Sequence, residues 1–164
     1  MRLKKTYSSR EVAALTGLSA RQLQLWDATG LISSAIPSHK TDAGGYTERR
    51  YTPIDLFELL VLADLRQRGF SVQQLHQLIR VLKERFDLRL FDATGGGGSV
   101  QLLTDGQELY ARSSAGEFFN LLKTPAQALL VVGNEGALKE LSGKLKAKRG
   151  KRNLKSAVNL KPAL

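Results

Sequence analysis

Four N-terminal capping signals constrain the first half of the chain more than any other feature. In each signal, a Ser or Thr precedes a helical run, and a Glu, Gln or Asp follows three residues later. Two such side chains satisfy the free N–H groups of a helix's first turn. Apolar residues recur at spacings of three and four after every signal, so the pattern predicts four helices. The four pairs are Ser8 with Glu11, Ser19 with Gln22, Thr52 with Asp55, and Ser71 with Gln74.

The connections between these helices predict how the helices pack. Only a tight turn at residues 16–18 separates the first two, which favours the steep crossing of a helix-turn-helix. Residues 33–51 form a long polar segment that contains Gly44 and Gly45, and a loop of that length inside a compact domain is usually functional. We predict a hairpin there and name residues 33–51 the wing. The predicted helices cover residues 9–16, 20–29, 53–68 and 72–86.

The chain changes character after residue 86. Short runs with alternating apolar residues predict strands, and Asp105 followed by Gly106 is a signal for a hairpin turn. This segment has enough apolar residues to fold against the first half or against a partner. The predicted elements are strands at 87–93, 99–104 and 107–113, a short helix at 116–124, a buried strand at 128–132 and a helix at about 135–148.

The whole pattern predicts a mainly α chain with small β elements. Residues 1–86 form an N-terminal winged helix-turn-helix domain of four helices plus the wing hairpin. Residues 87–138 form a small α/β domain, and its role as a dimer, ligand or partner contact is left open. Residues 139–164 are predicted to form a basic tail that begins as a helix and then becomes disordered.

The formal net charge of +10 is concentrated in this tail. Residues 139–164 contain nine Lys and Arg against one acidic residue, whereas the charges of residues 1–138 nearly cancel. A basic tail of this kind either binds polyanions without reading their sequence or stays solvated. Specific recognition of a nucleic acid must therefore come from the body of the chain.

The second predicted helix has two chemically different faces. Leu23 and Trp26 share an inner face and are expected to pack against Val12 and Leu15 of the first helix. The outer face carries a cation, an amide and apolar residues. Arg pairs with guanine, amides pair with adenine, and apolar groups meet thymine methyls. This face suits base edges in a major groove, although an ordinary solvated helix face has the same composition. Its members are Arg21, Gln24, Leu25 and Ala28.

The wing clusters cations with tyrosines. Cations beside phenol hydroxyls fit a loop that follows the phosphate backbone and fixes position on a duplex without reading bases. The alternative is a solvated loop, with Tyr51 packed at the start of the third helix. The clustered residues are His39, Lys40, Tyr46, Arg49, Arg50 and Tyr51.

Three ordered motifs resemble the MerR family of winged helix-turn-helix transcription regulators. They are YSSREVAALTGLSARQLQLWDATGLI, GGYTERRYTPIDL and LRQRGFSVQQLHQLI, and they cover about half of the chain. The resemblance implies that Ser19, Ala20 and Arg21 enter the major groove with the helix behind them. It also implies that Arg50 and Tyr51 hold the DNA backbone from the wing.

The chain departs from the family pattern at two places. Gln24 and Leu25 stand where the family usually has Arg and Tyr, which removes one cation and one hydroxyl; Lys40, Arg49 and the tail are candidates to replace them. The resemblance also implies a long dimer helix after the fourth helix, but FDLRLFDATGGGG interrupts any such helix. A homodimer remains an expectation, because two half-sites are the usual way to gain affinity.

Other function classes lack the residues that they require. The chain has no cysteine and only two histidines, so we expect no disulfide, metal site or cofactor. We find no nucleophile with a nearby base and therefore predict no enzyme. A start without an apolar run predicts a cytoplasmic, nucleoid-associated protein with no membrane contact.

The sequence therefore predicts a regulator that binds double-stranded DNA sequence-specifically. The alternative is an antitoxin or adaptor that binds its own promoter and grips a protein partner through residues 87–138. The predicted DNA contacts are Ser19, Ala20, Arg21, Gln24, Leu25, Lys40, Tyr46, Arg49, Arg50 and Tyr51.

Overall fold

The computed structural model describes residues 2–95, 98–129 and 135–152. The chain divides into two compact units, Met1–Leu129 and Leu130–Leu164. The helices of the first unit are α1 (Ser9–Thr16), α2 (Ala20–Ala28), α3 (Pro53–Gln67), α4 (Val72–Phe86) and α5 (Leu90–Thr94). Its strands are β1 (Tyr7–Ser8), β2 (Arg50–Tyr51), β3 (Val100–Thr104), β4 (Leu109–Ser113), β5 (Phe118–Asn120) and β6 (Thr124–Leu129).

All four predicted capping boxes are present, and they set where α1 to α4 begin. The capping hydroxyl accepts a backbone N–H at 3.0–3.2 Å in each, and the residue three positions later caps the N–H of the first. The predicted helices are confirmed, and their observed ends lie within one residue of the predicted ends. Gly17, at a φ of 75°, ends α1 in the left-handed conformation, which glycine adopts without steric cost.

The predicted wing hairpin is confirmed. Ile36 and Arg50 exchange backbone hydrogen bonds of 3.1 and 2.9 Å, and Lys40 bridges to Tyr46 in the antiparallel sense. The wing ends in β2, whose Tyr51 pairs with Tyr7 of β1. The hairpin is therefore attached to the strand that leads into α1.

The second half of this unit is a four-stranded antiparallel sheet in the order β3-β4-β5-β6. The predicted Asp105–Gly106 turn joins β3 to β4, with Leu102 opposite Ala111 and a φ of 90° at Gly106. One face of the sheet packs on α4, where the rings of Phe86 and Phe119 meet edge to face at 5.5 Å. The predicted strands at 99–104 and 107–113 are confirmed.

Three element predictions in this half need correction. The prediction of a strand at residues 87–93 is wrong, because residues 90–94 form α5, with Leu90 and Ala93, three apart, both entering the core. The prediction of a helix at residues 116–124 is also wrong, because residues 118–120 pair with β4. The last strand, predicted as buried at residues 128–132, covers 124–129 and is not buried, because Leu129 is 40% exposed. Residues 130–132 of its predicted span lie outside the described residues.

One hydrophobic core spans the predicted boundary at residue 86. Leu90, Leu109 and Leu121, all at most 1% exposed, belong to the same buried cluster as Leu59 and Leu78 of the helical half. The compact unit ends at Leu129, whereas the boundaries predicted from the sequence lie after residues 86 and 138. That the segments on either side of these boundaries have different functions remains a prediction.

Arg89 joins the two halves through charge. Its Nη2 donates to Asp55 at 3.3 Å and also to Glu58, two carboxylates of α3 that are each only 4% exposed. Glu58 also accepts the backbone N–H of Phe91 at 3.3 Å. Although burial alone lowers the pKa of Arg89, the two carboxylates raise it above its ordinary value. Arg89 therefore neutralises a buried acidic pair.

The second unit contains α6 (Glu135–Arg152). Leu141 and Leu145 lie one turn apart on this helix and are 53% and 55% exposed. Lys144 forms an ion pair with Glu140 at 3.1 Å. None of the helices that the structure describes is both long and apolar enough to cross a membrane.

Candidate nucleic-acid interface

Helix α2 has the two faces that the sequence predicts. Leu23 and Trp26 are each 2% exposed and face the core, together with the fully buried Val12 of α1. The prediction that Leu15 packs there is wrong, because Leu15 is 42% exposed. The burial of one face leaves the opposite face of α2 open to solvent.

The N-terminus of α2 is held by its cap. The Ser19 hydroxyl accepts the Gln22 N–H at 3.0 Å, and Oε1 of Gln22 accepts the Ser19 N–H at 2.9 Å. Because Ser19 uses its oxygen as an acceptor here, its hydroxyl hydrogen is still available to donate. Ala20 and Arg21 follow directly, and both are exposed.

The outer face of α2 presents three kinds of contact side by side. Arg21, Gln24 and Leu25 are all exposed, and the exposed fraction of Leu25 is 54%. No hydrogen bond within the described protein occupies the guanidinium of Arg21 or the amide of Gln24. This face can therefore offer a cation, an amide and an apolar group to a surface that meets it.

The wing presents a second exposed surface. His39 and Thr47 face each other across its two arms, with the Thr47 N–H donating to the His39 carbonyl at 2.8 Å. Next to them, Lys40 is exposed and Tyr46 is 74% exposed. A cation and a phenol hydroxyl therefore stand together near the end of the hairpin.

Arg50 and Tyr51 are held within the protein. Arg50 donates from Nε and Nη2 to the Thr6 hydroxyl at 3.1 and 2.8 Å. Tyr51 is 1% exposed. Burial raises the pKa of its phenol and the nearby Asp27 carboxylate raises it further, although contacts with Ser9 and Arg49 oppose the rise. These two residues thus fix the base of the wing.

Arg49 lies against α2. Its Nε is 3.1 Å from Oδ2 of Asp27, and the two side chains are only 23% and 20% exposed. Of the predicted DNA contacts, the structure therefore leaves seven open to solvent and places Arg49, Arg50 and Tyr51 in intramolecular contacts. The assignment of all ten to DNA stays a prediction. The seven are Ser19, Ala20, Arg21, Gln24, Leu25, Lys40 and Tyr46.

Two residues that shape this site were not predicted to do so. Thr6 anchors Arg50, but the contact joins residues 44 positions apart and carries no local signal. Asp27 lies within the first of the three motifs, but its link to Arg49 and Ser34 of the wing depends on tertiary structure. Among the described residues, no group of three His, Asp or Glu side chains is placed to hold a metal ion.

Comparison with protein families matches residues 7–82 to the model described as MerR HTH family regulatory protein. The curated relatives include uncharacterized HTH-type transcriptional regulators of Mycobacterium tuberculosis and Mycobacterium bovis. Each is 27% identical over 146 residues, which is 89% of this chain. The chain spans 60% of the length of these relatives.

Two solved structures show partial likeness. One is a MerR family transcriptional regulator from Bacillus cereus, 24% identical, with a TM-score of 0.37 over 46% of this chain and 52% of that chain. The other is HiNmlR, a MerR family regulator lacking the sensor domain, bound to promoter DNA. It is 30% identical, with a TM-score of 0.33 over 43% of this chain and 48% of its own.

Proposed function

We propose that the chain is a transcriptional regulator that binds double-stranded DNA sequence-specifically, since its residues 7–82 match the family model described as MerR HTH family regulatory protein. The observation that carries this proposal is the open outer face of α2, where Arg21, Gln24 and Leu25 are exposed beside the wing. Nine helical residues span about 14 Å, a length that fits a major groove about 12 Å wide.

The wing supplies backbone contacts in this proposal. Lys40 and Tyr46 are exposed near its end and have the chemistry that phosphate oxygens accept. Arg21 reads a base, Gln24 and Leu25 contact bases or methyl groups, and Ser19 and Ala20 lie where the helix N-terminus meets the backbone. In this proposal α2 reads the bases and the wing binds the phosphate backbone.

The protein acts as a cytoplasmic, nucleoid-associated homodimer in this proposal. Two copies on two half-sites give the affinity that one short helix lacks. Among the described helices, the one that follows α4 is α5, which has five residues. It is too short to be the long dimer helix that the resemblance implies at this point, so in this proposal the two copies meet through a different surface. A regulator of this type performs no catalysis. No relative named above favours the antitoxin or adaptor alternative.

Selection of bound duplexes from a random pool tests this proposal directly. We expect a defined consensus with two half-sites in inverted orientation. Recovery of duplexes without a shared sequence would contradict sequence-specific binding.

Replacing Arg21 with Ala tests the reading role. Because the variant cannot bond to a base, we expect binding to the selected site to weaken by about 1–3 kcal/mol, with little change on a scrambled duplex. Fluorescence anisotropy on both duplexes measures the effect. Arg68→Ala is the matched control, because Arg68, directly after α3, is exposed and paired at 2.9 Å with Asp64 of α3. Equal losses on both duplexes would argue against base reading by Arg21.

Deleting residues 144–164 tests the tail. If the tail binds phosphates, its removal should flatten the slope of log K against log salt concentration by about 0.9 for each phosphate that it neutralises. The comparison uses the full chain on the same duplex over a series of salt concentrations. An unchanged slope would show that the tail binds no phosphate.

A further inference from the structure

Asp27 of α2 contacts both ends of the wing. The residue lies in the last turn of α2. Its Oδ1 accepts the backbone N–H of Ser34 at 3.1 Å, and its Oδ2 lies 3.1 Å from Nε of Arg49. Ser34 is the second residue of the wing, and Arg49 precedes its last two residues. One carboxylate therefore closes the base of the loop.

We propose that this ion pair, the Asp27–Arg49 latch, sets the position of the wing relative to α2, so that Arg49 is a positioning residue and not a phosphate contact. The inference deepens the proposed function and rests on it. It reverses the sequence-based assignment of Arg49, which was expected to replace a cation missing from α2.

The remaining wing contacts explain why a latch is needed. The hydrogen bonds between Ile36 and Arg50 and between His39 and Thr47 join one arm of the wing to the other. These bonds shape the hairpin but do not fix its orientation relative to α2. At the β2 end, Arg50 binds Thr6, which precedes β1. The Asp27 contacts connect the wing to the helix that carries Arg21.

The surroundings of the pair favour a lasting contact. The two side chains are 20% and 23% exposed, so solvent screens them less than a surface pair. The buried Tyr51 phenol lies close enough that both charges influence its pKa. A hairpin held in place before DNA arrives loses less conformational entropy on binding. The latch therefore raises affinity without touching DNA.

Two single variants give opposite results under the two roles of Arg49. With the latch, Asp27→Asn and Arg49→Gln each remove the same ion pair, so we expect each to weaken binding by about tenfold, and the double variant to be no weaker. The salt slope stays that of the wild type, because every cation that binds phosphate is still present. Anisotropy titrations of the full chain on the selected duplex measure both quantities.

The opposite pattern would overturn the latch. If Arg49 binds phosphate, Arg49→Gln flattens the salt slope by about 0.9. In that case Asp27→Asn binds as tightly as the wild type or more tightly, because it frees the cation. Asp27→Glu is the conservative control and should keep most of the affinity if the carboxylate is what matters. A loss with Asp27→Glu equal to that with Asp27→Asn would also count against the latch.

Hydrogen exchange without DNA separates the latch from the proposed function. We expect Asp27→Asn to speed the exchange of the Ser34 amide and of wing amides, while amides of α3 and α4 keep their protection. Unchanged wing exchange would overturn the latch. If the wild type selects no DNA, but wing amides exchange faster in Asp27→Asn than in the wild type, the proposed function fails while the role of the latch in positioning the wing is supported. Thermal unfolding of each variant confirms that the fold is intact.

Discussion

Replacing Arg89 with Ala will lower the free energy of unfolding by about 3 kcal/mol, because the change leaves Asp55 and Glu58 as unpaired buried charges. Each carboxylate side chain is only 6% exposed, whereas Arg89 is 55% exposed. The partial exposure of the cation places the effect at the lower end of the range for broken buried ion pairs. Urea unfolding followed by circular dichroism measures the loss.

Two further variants separate charge from general damage. Arg68→Ala removes a cation from an exposed pair with Asp64, and such pairs contribute at most about 1 kcal/mol. Adding Glu58→Gln to the Arg89 variant removes one of the stranded charges, so the double variant should recover part of the stability. A double variant with a lower free energy of unfolding than Arg89→Ala would show that hydrogen bonding, and not charge, dominates this cluster.

Replacing Leu121 with Ala will destabilise the helix-turn-helix as well as the sheet. Leu121 is fully buried in the core that spans both halves of Met1–Leu129, and a buried Leu→Ala change costs about 2–5 kcal/mol. Trp26 is the only tryptophan of the chain and lies buried under α2. Its fluorescence therefore reports the unfolding of the helical half alone.

The position of the Trp26 transition is the decisive measurement. If the two halves unfold as one, Leu121→Ala shifts the urea midpoint by fluorescence as much as by circular dichroism. Leu129→Ala, at a position 40% exposed on β6, is the matched control and should have a small effect. A Trp26 transition that stays in place would favour an independent domain beginning after residue 86.

The helical half was predictable because its signals are local. Each capping box involves residues three apart, and its geometry is the same wherever a helix begins. The pattern of apolar residues on α2 correctly predicted that Leu23 and Trp26 face inward. The exposure of Leu15 was not predicted, because the sequence shows which face of α1 is apolar but not how much of that face α2 covers.

The second half was less predictable because its structure depends on distant partners. Leu88 and Leu90 imitate the alternation of a strand, yet Asp92 caps the Arg89 N–H at 3.1 Å and a helix begins. Residues 118–120 resemble a helix in composition, but pairing Phe119 with Ala111 makes them a strand. Tertiary contacts decide such short segments more than intrinsic propensity does.

The candidate site shows the same division. Sequence patterning predicted which residues of α2 are exposed, because helical periodicity is regular. It could not show that Arg49 meets Asp27 or that Arg50 meets Thr6. In both cases the arginine is bound within the protein by a residue remote in sequence.

The end of the hairpin at residues 41–45 forms a turn closed by its own bonds. The Thr41 N–H donates to the Gly45 carbonyl at 2.6 Å, the Gly44 N–H donates to the Thr41 carbonyl at 3.0 Å, and Gly44 has a φ of 85°. Because these bonds lie within the turn, we expect the turn to keep its shape when residues that make none of them are changed. Changes at Asp42 and Ala43 that keep Thr41 and both glycines are therefore expected to alter the surface at the end of the wing without altering the hairpin.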